Sequence, residues 1–160
     1  MKNIVLGILF LFILSSCSTN SSEDISINLK VISNYNYNSK EIELTKLINE
    51  YRVNIGLNPL VLINHISNKC EDHNNYMITN NVINHAFFQD RSDNIRSVLG
   101  ASNVSEIVAY NYIQPQGVLE AWLKSPSHKE AIEGNFTDFG VSIIKNTDGK
   151  NYFTIIFIKR

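Results

Sequence analysis

Two places in this 160-residue chain bring together side chains able to do chemistry. The first is Cys70-x-x-His73. A thiol and an imidazole three residues apart share one face of a helix, where they could act as nucleophile and base or as two ligands of a borderline metal ion. The same two residues also belong to an apolar series, Ile63, Ile66, Cys70, His73 and Met77, spaced as the core side of a helix. That face is otherwise aliphatic and offers no third polar group, which favours a small core thiol and a hydrogen-bonded core histidine. The second place is Ser125-Pro126-Ser127-His128. Ser125 reads as a helix cap and Pro126 as the first helical residue. His128 then falls in the first turn, where the positive helix end disfavours imidazolium and keeps a lone pair available near neutral pH. Ser127 invites a serine-nucleophile reading, but adjacent side chains on a helix point apart, so its hydroxyl is expected to bond locally.

Composition limits what such groups can serve. Hydrophobic residues make up 44% and charged residues 18% of the chain, as in an ordinary globular domain. A net charge of -1 without any block of like charge argues against nucleic-acid binding. The first residues read as a targeting segment: Lys2, then an apolar run from Ile4 to Leu14, shorter than the ~20 residues a bilayer span needs. Leu14-Ser15-Ser16-Cys17 is similar to a bacterial lipobox, in which the cysteine is acylated and becomes the first residue. The expected division is a lipoprotein signal peptide over 1–16, a tether and N-terminal arm over 17–38, and a folded domain over 39–160. With Cys17 lipidated and anchored to the membrane, Cys70 has no disulfide partner.

The elements that must position His73 and His128 follow from periodicity. The spacing predicts a helix from Ser39, taken as its cap, to just before Gly56, with Leu44, Leu47, Ile48 and Tyr51 as its apolar stripe. A second helix is expected from about Ile63 to Asn80, and one or two helical turns within 89–98. Glu106 to Ile113, rich in Val, Ile and Tyr, reads as a strand with Glu106, Val108, Tyr110 and Tyr112 on one face. Gln114-Pro115 opens a helix whose apolar side carries Val118, Leu119, Trp122 and Leu123. Phe139 to Lys145, the turn Asn146-Thr147-Asp148-Gly149 and Tyr152 to Ile158 make a hairpin covered on both faces. Ile25 to Ile32 alternates as a short strand or a docked extended arm. The fold class expected is α+β, a three-layer α-β-α sandwich with an antiparallel central sheet.

Three stretches also resemble the bacterial CAP (SCP-like, CRISP/antigen 5/PR-1) domain. Asn49-x-x-Arg52-x-x-x-Gly56-Leu57-x-Pro59-Leu60 resembles its opening signature. Cys70-x-x-His73-x-x-x-Met77 is similar to its second helix. Trp122, Ser125-Pro126-x-His128 and Phe136-Thr137-x-x-Gly140 resemble its C-terminal signature, so the likeness spans about residues 40–158. The resemblance implies a cleft lined by His85, Glu106 and His128. It implies three departures as well: Ser105-Glu106-Ile107 stands for Gly-Glu-Asn, Ile83-Asn84-His85 for Phe-Ser-His, and His128-Lys129-Glu130-Ala131 for His-Arg-x-Asn. A second glutamate found in some members has no match, since Ser125 stands at its place. Two imidazoles and a carboxylate suit a divalent cation such as zinc. Without metal they could hold a histidine for acid/base work. Tyr110, Tyr112 and Trp122 read as core and cleft wall, able to meet an apolar or sugar ligand. The first functional expectation is therefore a membrane-anchored binding or interaction module of the bacterial cell envelope, periplasmic or surface-exposed, with a lipid or protein ligand. The alternative is a metal-assisted or His/Glu hydrolase.

Overall fold

The computed structural model describes residues 30–160. The signal peptide, the lipidated Cys17 and the start of the tether, expected from the sequence, lie outside those residues.

Helix α1 covers Ser39–Asn54. Its cap is Asn38 rather than the expected Ser39: the Asn38 side chain accepts from the Glu41 amide, and Glu41 reaches back to the Asn38 amide, a reciprocal capping box. Leu44 and Ile48 are buried, while Leu47 and Tyr51 pack at the margin of the same core. Strand β1 is only Val61–Leu62, and α2 follows over Asn64–Asn80. The short helix expected near residues 89–98 is a three-turn α3, Phe88–Leu99. Strand β2 covers Asn103–Tyr110, three residues earlier than its composition suggested. It ends where Asn111 takes φ 66, a left-handed turn that removes Tyr112 from the strand. Helices α4 (Pro115–Lys124) and α5 (Pro126–Glu133) each begin with proline at the first position. Strands β3 (Asp138–Lys145) and β4 (Asn151–Lys159) form the hairpin.

The sheet order is β1-β3-β4-β2. The three long strands pair antiparallel, with Glu106 opposite Ile156 and Phe139 opposite Phe157. β1 pairs parallel with β3, so the sheet is mixed at one edge where an antiparallel one was expected. A short parallel edge is possible because α2 intervenes as the crossover between β1 and its neighbours.

Alternation along β4 divides the core in two. Phe153, Ile155 and Phe157 join α1, α4 and α5 on one face. Ile156 and Ile158 join Ile66 and Cys70 of α2 and Ile95 of α3 on the other. Helices thus cover both faces of the sheet, an α-β-α sandwich. On the second face contact is close: a Cβ at Gly140 would meet the Ser67 amide nitrogen at 2.3 Å and the Ile66 carbonyl carbon at 2.5 Å. Only glycine lets α2 lie so near β3.

The opening motif is scaffold. Asn49 bonds both the amide and the carbonyl of Leu60. Arg52, 2% exposed, donates to the carbonyls of Asn58, Ile132 and Gly134, tying the end of α1 to the end of α5. Residues 30–38 run over α2 without forming a strand. The Ile32 amide donates to His65 Nδ1 at 3.2 Å, and Tyr37 bonds Asn64 and Ser67.

Candidate functional site

Glu106 is the hub. It sits on the face of β2 that looks toward α2 and α3, the same face as buried Val104. Its side chain is 1% exposed, a position that a carboxylate holds only with strong partners. It has three donors. Arg91 on α3 donates Nε–H to Oε2 and Nη2–H to Oε1, both at 2.8 Å. His85 Nδ1–H donates to Oε1 at 2.9 Å. The planar guanidinium matches the carboxylate in a two-pronged pair.

His85 is presented by the loop between α2 and α3. Asn81 (φ 52) and Phe87 (φ 57), both left-handed, turn the chain at its two ends. Within it, Asn84 accepts the Ala86 amide on its side chain and a His73 ring proton on its carbonyl, at 3.0 and 2.8 Å. Arg91 Nη1 closes the loop by donating to the Ala86 carbonyl at 2.8 Å. One arginine therefore holds both the carboxylate and the loop that carries His85. Since Glu106 takes the Nδ1 proton, a neutral His85 ring carries its lone pair on Nε2, and the side chain is 50% exposed.

His73 lies behind, 1% exposed. Its Nε2 is 3.7 Å from Glu106 Oε1, but its proton goes to the Asn84 carbonyl. That leaves Nδ1 buried with no partner among the described residues. Burial pushes its pKa down, with Arg91 adding to the effect and Glu106 opposing it. The ring is thus neutral and acts as a brace for the His85 loop. Cys70, one turn earlier, is fully buried. Its thiol donates to the Gly140 carbonyl at 3.4 Å, and burial pushes its pKa well up. Neither property suits a nucleophile.

His128 stands in the opposite layer, in the first turn of α5. Its groove, about 390 Å³, is walled by Val108, Tyr110, Tyr112, Trp122 and Ser125. Its pKa is lowered by burial and then by the nearby His85. The sequence had assigned that role to the helix end. Ser125 occupies the expected cap position, but its side chain makes no capping bond. The trio therefore divides: His85 and Glu106 touch, and His128 approaches from the other side of β2, which is the end strand of the sheet.

The donor set does not fit a resident divalent cation. Among the described residues no group of three His, Cys, Asp or Glu is placed to hold one. Both Glu106 oxygens already receive protons from Arg91, so the guanidinium occupies the place and supplies the charge that a cation would. Sequence reasoning read residues 89–98 as one or two helical turns and did not single out Arg91. A sign was present: Phe88, Arg91, Ile95 and Leu99 fall on one helical stripe, and an arginine within such a stripe points to a buried acid.

Helices on both faces of a four-stranded sheet make this a three-layer sandwich, with His85 and Glu106 at the end strand β2. The sequence model of the cysteine-rich secretory protein family, CAP, matches residues 45–157, and the chain belongs to that family. An outer surface protein of Borrelia burgdorferi shares the fold with a TM-score of 0.69 at 26% identity, over 81% of this chain and 99% of that one. An extracellular protein containing an SCP domain from Bacillus anthracis gives 0.65 at 21% identity, over 76% of this chain and 40% of that one. In sequence, an uncharacterised protein of Borreliella burgdorferi is 30% identical over 115 residues, 71% of this chain and 74% of the relative. The membrane protein YlbC of Bacillus subtilis is 27% identical over 128 residues, 76% of this chain but 35% of its own length.

Proposed function

We propose that this CAP domain is an extracytoplasmic, lipid-anchored binding module for a lipid or protein ligand, received at the β2 edge where exposed His85, oriented by Glu106, and His128 approach from opposite sides of the strand. The solved relatives are described as outer surface or extracellular proteins, which supports a place in the cell envelope. The anchor reading rests on Leu14-Ser15-Ser16-Cys17. Among the described residues no helix is long and apolar enough to cross a membrane. A Cys17→Ser chain is expected to move from the detergent phase to the aqueous phase on phase partitioning.

The observation that carries the binding reading is the closure of Glu106 by three protein donors. A carboxylate so committed is a positioning group, free neither to ligate metal nor to accept a substrate proton. The hydrolase reading has one observation in its favour: His85 is oriented by a carboxylate and shows Nε2 to solvent, the arrangement of a general base. Calorimetric titration of zinc into a chain lacking residues 1–24, with and without His128→Ala, tests the metal-assisted form of that reading. No saturable heat is expected in either. Saturable binding lost in the variant would keep the metal-assisted hydrolase reading alive.

A further inference from the structure

The groove beside His128 has a chemical character that the Glu106 cluster lacks. Its lining contains no Asp, Glu, Lys or Arg, so a charged ligand would find no counter-charge there. Tyr110 and Tyr112 are 38% and 36% exposed. Both rings are nevertheless held in place from behind: Tyr110 packs edge-on against Tyr152 with centroids 4.8 Å apart, and Tyr112 against Phe153 at 6.5 Å. Trp122 contributes wall alone, because its indole N–H donates to the Val108 carbonyl at 3.2 Å. Neutral polar groups line the same groove. The Ser125 hydroxyl is not spent on a cap, and burial together with His85 disfavours a charge on His128. A neutral imidazole offers one donor and one acceptor.

We propose that this groove binds a neutral carbohydrate, with pyranose rings laid against Tyr110 and Tyr112 and their hydroxyls bonded by Ser125 and His128. A sugar presents apolar C–H faces and a rim of neutral hydroxyls, and the groove presents fixed aromatic rings and neutral donors and acceptors. Its volume, about 390 Å³, lies at the lower end of small-ligand sites, roughly 300–1,000 Å³. An acyl chain would leave the Ser125 hydroxyl and the His128 imidazole without partners. The inference rests on the binding-module reading for the part played by His128, and in this groove it replaces the lipid or protein ligand of that reading with a neutral carbohydrate.

The test is a titration of the isotopically labelled chain from residue 17 onward, carrying Cys17→Ser, with chitotriose and with maltotriose, followed by amide chemical shifts. Saturable shifts are expected at Tyr110, Tyr112, Ser125 and His128 with at least one sugar. Tyr112→Ala should weaken binding about tenfold or more while the remaining spectrum keeps its dispersion. Absence of saturable shifts with both sugars, or equal affinity in the Tyr112→Ala chain, overturns the proposal. Shifts of the same amides on adding phosphatidylcholine vesicles, with none on adding sugar, would assign the groove to lipid and leave the binding module standing. Sugar shifts in a chain that also binds zinc through His128 would do the reverse, keeping the carbohydrate site and removing the metal-free reading of the cleft.

Discussion

Glu106 and His128 lie on opposite sides of the same end strand, and their surroundings differ in kind. The Glu106 side chain is 1% exposed and engaged by Arg91 and His85, with buried His73 behind it. His128 is half-buried, its ring bordered by tyrosines and an uncommitted serine. The first region gains rigidity from a closed set of charge-assisted bonds. The second keeps its polar groups free for something outside the chain. In this molecule the residue with the strongest contacts is the support, and the one with the fewest is the better candidate for contact with a ligand.

The sharpest way to break that comparison is to remove the support. Arg91→Ala leaves a buried carboxylate without its counter-ion and frees the Ala86 carbonyl, so a loss of about 3–5 kcal/mol is expected by urea denaturation. If the loss stays below about 1 kcal/mol, as for an exposed ion pair, the cluster is not closed.

A smaller effect is expected from acid. The folded pKa values of His73 and His65 are lowered, in both cases chiefly by burial. The unfolded chain then takes up protons first, so stability falls as pH drops below the ordinary histidine value of about 6.5. His65 makes the loss visible in one place. Its Nδ1 accepts the Ile32 amide and its Nε2 meets Asn94, with Lys69 and Asp72 as the charges nearby. Protonation at Nδ1 removes the acceptor. The melting temperature is expected to be lower at about pH 5.5 than at about pH 7.5, and His65→Gln should reduce the difference. Glu41, whose pKa burial raises, works in the opposite direction, but in the carboxylate range.

The smallest effect belongs to the open side. His128→Ala should change stability by no more than about 0.5 kcal/mol, because the half-buried ring makes no hydrogen bond among the described residues, while altering whatever the groove binds. A thermal melt of the variant checks this. A destabilisation comparable to that of Arg91→Ala would show that His128 is support as well, and the contrast would vanish.

Much of the architecture could be read before any coordinates. The hairpin was legible because its strands are apolar on both faces and the turn contains Asp148-Gly149, with Gly149 at φ 77. The stripe through Leu44 and Ile48 was legible because apolar residues recurring with the helical period gather on one side of a helix. The beginning of β2 was not, because Asn103 and Ser105 look like loop, and only pairing with β4 draws them into the sheet. β1 is two residues long and carries no periodicity. In the site, the contact of His85 with Glu106 was approached through family resemblance alone. Arg91 was missed because residues 89–98 were read only as one or two helical turns, although its position on the α3 stripe pointed inward. The neutral state expected of His128 agrees with its lowered pKa, but the cause is burial and His85, which depend on tertiary neighbours that no local motif displays.

Trp122 has one further consequence. β2 ends the sheet, and the outward carbonyl of Val108 would be available to a strand from another molecule. The indole N–H takes that carbonyl, with α5 lying alongside the same strand. Each outward pairing group that is taken or covered makes an end strand a poorer template for a second chain. The tryptophan at the centre of the C-terminal signature thus takes up one of the pairing groups that this edge would otherwise offer to a second chain.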